Sequence, residues 1–164
     1  TNSRKFRWNT HMYAKDKESL LKVIKILYED IMIAEQGLAV REYIHLKKLD
    51  NGLNGLPISK EWRCFCYKDK LLCNGFYWSN FPDVDPGPLP KDGINFVNKI
   101  TSIVGEKVNF YVVDVAEKEN GDYIVIELND GQQSGLSTIK PETLYSELKK
   151  AIYWFSYMDT RYEK

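Results

Sequence analysis

The sequence has no surplus of either charge: 23 Lys and Arg stand against 23 Asp and Glu in 164 residues. A nucleic-acid surface normally shows as a basic excess or stripe, so that class of partner lacks its usual footprint. There is no apolar run long enough to span a bilayer and no basic-then-apolar leader. His11 and His45 are too few and too scattered to favour zinc. Three cysteines without a disulfide framework point to a reducing, cytoplasmic setting. Glycine-rich phosphate loops of the dinucleotide or P-loop kind are missing, as is a repeated βαβ rhythm, so any nucleotide site must be built from side chains on strands.

What the chain does have is aromatic side chains, 11 Tyr, 7 Phe and 4 Trp, suited to a core, a ring-stacking site or an interface. Its length allows one domain or two small lobes sharing a groove. Residues 15–33 carry apolar positions Leu20, Leu21, Ile24, Leu27 and Ile31 at a helical period, with Asp16 as cap. "LAVREYIHLKKL" (38–49) reads as a strand entering through Gly37, and "NGLNGLP" as a turn-rich spacer. "EWRCFCYKDKLLCNGFYW" (61–78) reads as a hairpin turning near residues 68–70. The proline-rich stretch 79–92 is expected to cross between lobes or cover a site. A helix ending at Gly105, a hairpin at Asn120-Gly121 and a last helix entered through Pro141 complete an α+β order of antiparallel strands with helices behind them.

The second hairpin poses the chemical question. With Asn120-Gly121 as a two-residue turn, Asp114 falls opposite Glu127 and Val112 opposite Asn129. Two facing carboxylates on a half-buried sheet repel and pay desolvation unless something positive neutralises them. Alternation puts Asp114, Glu127 and Asn129 on one face with Val112, Ala116 and Val125, leaving Val113, Val115, Ile124, Ile126 and Leu128 as a clean apolar face for helices. Two carboxylates and an amide suit a hard dication such as Mg2+, with water and phosphates completing its shell; the competing reading is a solvated face.

On the first hairpin, Glu61, Arg63, Phe65 and Tyr67 share a face, and Trp62, Cys64 and Cys66 the other. Cys73 can return to the face of Cys64 and Cys66, though small apolar packing suits these thiols better than metal ligation. Arg63 either pairs with Glu61 or donates to a phosphate; Arg41 in "AVREYI" poses the same choice, against pairing with Glu42 or a helix terminus. In "DGQQSGLS" (130–137), Gln132, Gln133 and Ser134 offer donors between two glycines, where a second substrate or terminal phosphate can be held; the alternative is a plain surface loop.

The ordered segments "VREYI" (40–44), "EWRCF" (61–65), "VVDVA" (112–116) and "IELNDGQQSGLS" (126–137) together resemble the central and carboxy-terminal parts of an ATP-grasp domain, in the clade named for an arginine-to-lysine exchange. The resemblance runs from about residue 4 to residue 148. It implies two α+β lobes gripping ATP, here residues 1–50 as the nucleotide-gripping lobe and 51–164 as the metal- and phosphate-binding lobe. The implied activity is an acyl-phosphate formed on a carboxylate and displaced by an amine. By resemblance, Asp114, Glu127 and Asn129 hold Mg2+, and Arg63 contacts phosphates or the acyl-phosphate. Glu42, Tyr43 and Ile44 form the hinge beside the adenine, Lys5 is the best match for a phosphate-binding lysine, and Glu61 orients Arg63 or approaches the metal. The family's usual additional amino-terminal domain has no counterpart in the sequence. The expectation is therefore a fragment, a partner polypeptide or second subunit supplying that part, or ATP lobes kept without the full ligase. Two alternatives to a carboxylate–amine ligase follow: a non-catalytic nucleotide-binding or interaction module, with "YWFSYMDTRY" as docking surface, and an ATP-dependent nucleic-acid ligase, which needs a lysine motif and basic track that the sequence does not display.

Overall fold

Both hairpins lie side by side in one antiparallel sheet. The computed structural model describes residues 7–162. A π-helical turn at Trp8–Met12 leads into α1 (Lys17–Tyr28) and α2 (Ile31–Gln36). The short strands β1 (Lys48–Asn51) and β2 (Pro57–Ser59) pair with each other; β3 (Glu61–Tyr67), β4 (Lys70–Phe76), β5 (Phe110–Glu117) and β6 (Tyr123–Asp130) form a sheet in the order β4-β3-β5-β6. Helix α3 (Lys91–Val104) lies between the hairpins in sequence and α4 (Pro141–Tyr162) ends the fold. The class is α+β, as the element order predicts.

The sheet's two faces are covered differently. Trp62, Cys64 and Cys66 of β3 with Tyr111, Val113 and Val115 of β5 bury a core beneath α3, through Val97, Ile94, Ile100 and Val104. On the opposite face Phe65 and Val112 pack with Ile139 and Leu144, so the start of α4 and the loop before it cover only one end of that face. The loop can come this close because β4 offers Gly75 there: a Cβ would lie 2.7 Å from Thr138 Oγ1 and 2.8 Å from Ile139 Cγ1.

Two departures in the β5–β6 hairpin cancel. Glu117 pairs with Tyr123, and Lys118 accepts from Gly121 and donates to Asp122, so the loop holds Glu119, Asn120 and Gly121 rather than two residues. Gly121 adopts φ +88°, the left-handed position that closes such a three-residue loop. This moves the register by one, and a bulge at Ile126 moves it back, leaving Asp114 opposite Glu127 and Val112 opposite Asn129 as the alternation requires. Between turn and bulge the faces are exchanged. Val125 and Tyr123 pack against the α3 core, which corrects the assignment of Val125 to the carboxylate face. A second bulge, at Leu72, pairs Cys73 with Phe65 and puts it in the α4-side cluster. The three cysteines therefore do not share a face.

Other expectations are corrected by what the elements find to pair with. Residues 15–33 do not form one helix. Asp16 does cap α1, its carboxylate accepting from the Ser19 amide at 2.8 Å while Ser19 Oγ accepts back. The helix stops at Tyr28, and Asp30 O starts α2 by accepting from Ile33 and Ala34, which leaves Ile31 exposed rather than in the core. Residues 38–45 form no strand; Leu46 makes one isolated bridge to Lys118 before β1 begins. The proline-rich stretch is pinned to the α3 side: Trp62 Nε1 donates to Gly87 O and the Leu89 amide to Asn74 Oδ1, both at 2.9 Å, with Leu89 in the α3 core. It does not cover the carboxylate face.

Candidate functional site

Strand pairing sets Arg63, Asp114 and Glu127 in one row across β3, β5 and β6, with Phe65, Val112 and Asn129 in the next row on the same face. The Asp114 side chain is fully buried, and Arg63 grips it with a fork, Nε to Oδ1 at 2.9 Å and Nη2 to Oδ2 at 2.6 Å. The third guanidinium nitrogen, Nη1, donates to Gly135 O at 2.9 Å, and the Tyr77 ring lies 4.9 Å from the guanidinium carbon. Glu127 stands at the open side, its side chain 45% exposed and its Oε1 4.0 Å from Arg63 Nη2. Arg63 thus pairs with Asp114, the partner neither sequence alternative named, and it supplies the positive charge that facing carboxylates demand.

The charge it supplies is one against two. Burial pushes the Asp114 carboxyl above the usual aspartate range; the Arg63 fork works against that, and Glu127 adds to the rise. Burial weakens the Arg63 charge, but Asp114 outweighs it and holds the guanidinium pKa above its ordinary value. Hard oxygen donors on neighbouring strands fit a Mg2+ ion chemically, yet both Asp114 oxygens already accept from Arg63. Among the described residues no group of three or more His, Cys, Asp or Glu converges as a metal cluster; Asp114, Glu127 and, one row on, Asn129 lie on the same face of the sheet.

The remaining candidates divide by location. Lys5 lies outside the described residues. Arg41 Nη1 donates to the carbonyl of Ile126, the bulge residue, at 2.9 Å, and the Glu119 amide donates to His45 O, so residues 41–46 are fastened at both ends to the β5–β6 hairpin. Glu42, Tyr43 and Ile44 lie within that strap. Tyr43 packs edge-on to Tyr13 and His45 with ring centroids 4.9 and 5.1 Å away, and Trp8 joins the group. Burial, then Tyr13 and Glu119, raise the Tyr43 pKa. Glu61 is buried at the start of β3, opposite Ala116. Ser134 Oγ donates to Asp130 O at 2.7 Å, closing its own loop.

Sequence reasoning missed the Gly135 carbonyl and the Tyr77 ring, which flank Arg63. It also missed a second charged centre, where Glu117 accepts from Lys47 at 2.8 Å and sits 3.3 Å from Lys60. The signal for this one was legible: an apolar strand ending in a glutamate, with isolated lysines beside two other strands.

A sequence model of the ATP-grasp domain, the third family of the arginine-to-lysine clade, matches residues 1–148, nine-tenths of the chain and all the residues that build this row. No curated protein and no solved structure matched in the corresponding searches.

Proposed function

The chain belongs to the ATP-grasp domain family, within its arginine-to-lysine clade, and from that premise we propose that it binds Mg-ATP on the Arg63–Asp114–Glu127 row and acts as a carboxylate–amine ligase or its catalytic portion. Membership makes the fold an ATP-binding, ligase-type one. The observation that carries the finer reading is the row itself: a buried Arg–Asp fork beside an accessible glutamate, on the face of the sheet that α4 leaves partly open.

In this reading Asp114, Glu127 and Asn129 hold the metal, whose chemistry is to neutralise phosphate charge during transfer. Arg63 and Arg41 bind phosphate or acyl-phosphate oxygens through their forks. The strap with Glu42, Tyr43 and Ile44 lies beside the adenine, Lys5 reaches the phosphates, and the Gln132–Ser134 loop holds the second substrate. Residues 1–50 and 51–164 then act as the two gripping lobes. The co-substrates in this reading are a carboxylate and a peptide or other amino-bearing partner. No helix of the described residues is long and apolar enough to cross a membrane, and the thiols, two buried and one half-buried, suit a cytoplasmic setting.

Incubation with Mg2+, γ-labelled ATP and panels of carboxylates and amines tests the reaction. ADP and phosphate appearing only when both co-substrates are present is the expected outcome, with Glu127→Gln lowering nucleotide affinity in Mg2+. AMP attached to the protein would indicate adenylyl transfer, as in a nucleic-acid ligase, and sink the ligase reading. Binding without turnover would favour the interaction module. One observation supports that second reading: α4 runs beyond the family match and exposes Tyr153, Trp154 and Tyr157.

A further inference from the structure

We infer that Arg63 is the resting counter-ion of the carboxylate pair, and that the site therefore accepts a divalent cation only together with a polyphosphate, not as the free ion. This rests on the Mg-ATP reading above.

Three observations carry it. Arg63 occupies both oxygens of Asp114, and its Nη2 also stands 4.0 Å from Glu127 Oε1, so the guanidinium lies where a cation shared by the two acids would sit. Asp114 is fully buried, with the Arg63 guanidinium and the Glu127 carboxyl as its charged neighbours, so a metal that reaches it meets both. Arg63 is itself 9% exposed, and its remaining partners, the Gly135 carbonyl and the Tyr77 ring, are not anions.

A dication that displaces Arg63 from Asp114 thus strands a buried cation beside a carbonyl and an aromatic face, a strongly unfavourable state. The metal's attraction to two carboxylates must overcome that penalty as well as the metal's own dehydration. A polyphosphate changes the balance. Its oxygens offer Arg63 an anion as good as the one it gives up, since a guanidinium fork matches phosphate as well as carboxylate. Metal and phosphate arriving together let every charge exchange partners at once, with Gly135 O and Tyr77 keeping hold of Arg63 as it turns. Either component alone leaves one charge unpaired.

The test uses the full chain, Mn2+ as a paramagnetic probe and Mg2+ for NMR. Electron spin resonance of free Mn2+ should show binding to the wild-type chain at least tenfold weaker than to Arg63→Met, in which no guanidinium has to leave. Because that variant leaves Asp114 without its partner and can fail to fold, the wild-type protein is also followed through its Arg63 Nε–H resonance. Free Mg2+ should leave that resonance in place, ATP with EDTA should shift it little, and Mg-ATP should move it saturably. The inference is overturned if free Mg2+ moves the resonance saturably, if free Mn2+ binds the wild-type chain as tightly as Mn-ATP, or if Mg-ATP binds with the resonance unmoved. Absence of Mg-ATP binding, seen by tryptophan fluorescence, would instead sink the nucleotide reading and this inference with it.

Discussion

Strand β5 carries two buried carboxylates three residues apart, and they are opposite in character. Glu117 lies at the strand's end between two ammonium groups, Lys47 and Lys60. Burial alone would raise its pKa, but the two lysines overcome that and hold it below the usual glutamate range. Asp114 lies at mid-strand on the other face, shares one guanidinium with Glu127, and is held above the usual aspartate range. Glu117 also sits where three backbone segments cross: its carbonyl accepts from Lys47, its amide donates to Lys60, and the Lys60 amide donates to Lys47. A carboxylate with more positive charge than it needs fastens the β1–β2 hairpin to the main sheet. A carboxylate with less than it needs is the kind of group that clusters at functional sites, where a strained charge is kept for use.

The largest effect should come from removing the single cation at the poorer centre. Arg63→Met leaves Asp114 buried without its fork, and loss of one partner of a buried pair costs about 3–5 kcal/mol. Urea unfolding at pH 7 should show a loss of that order, and the loss should shrink as pH falls and Asp114 takes a proton. A loss below about 1 kcal/mol at pH 7, on the scale of an exposed pair, would mean that Asp114 is not held as an ion by Arg63.

The next effect separates the two acids by sign. Glu117 has its folded pKa depressed, so its contribution is present above the unfolded glutamate value and is lost as pH falls through the folded one. Asp114 has its folded pKa raised, so ionisation costs stability, and that cost fades as pH falls through the folded value toward the unfolded one. Carboxyl 13C titration should place the Glu117 midpoint below the ordinary glutamate range and that of Asp114 above the ordinary aspartate range. Glu117→Gln should lose about 1–2 kcal/mol at pH 7, a difference that vanishes in acid, without altering nucleotide affinity. Midpoints displaced the same way would erase the contrast.

The sequence carried the pairing of Asp114 with Glu127, because alternation and a hairpin turn leave few choices. It reached that pairing by a route the structure does not take, since a longer turn and a bulge at Ile126 compensate each other. Bulges have no strong sequence signature, so the faces of Val125 and Cys73 were not legible. Nor was the break between α1 and α2, where the apolar period continues through residues 29–30 without proline or glycine. The strand expected at residues 38–49 failed for a different reason: a strand exists through its partner, and here the edge of β6 receives the Arg41 side chain instead of a ladder. The partner of Arg63 is not visible along the strand, where its neighbour on the same face is Glu61; it stands across the ladder, at Asp114 on β5. Cross-strand register decides which charges meet, and it becomes known only once both hairpins share a sheet.

Ser134 should give the smallest effect on stability, and it sharpens the comparison because its loop belongs to the poorer centre. The loop already satisfies itself: Ser134 Oγ donates to Asp130 O, the Gln132 amide to Asp130 Oδ1, and only the Gly135 carbonyl turns inward to Arg63. Ser134→Ala removes one exposed hydrogen bond, worth about 0.5–1 kcal/mol at most. If the Gly135 carbonyl is the loop's whole contribution, the variant should keep the Arg63 Nε–H resonance in place and leave Mg-ATP affinity and turnover within about twofold of wild type. If the hydroxyl instead leaves Asp130 to hold a phosphate or the second substrate, affinity for that ligand should fall about tenfold, the equivalent of roughly 1.4 kcal/mol, with the stability loss still no more than about 1 kcal/mol. Titrating Mg-ATP and each co-substrate separately against the variant distinguishes these outcomes. Unchanged affinities would reduce the loop to its one carbonyl, and a selective loss would place Ser134 among the ligand-binding groups of the centre that lacks charge.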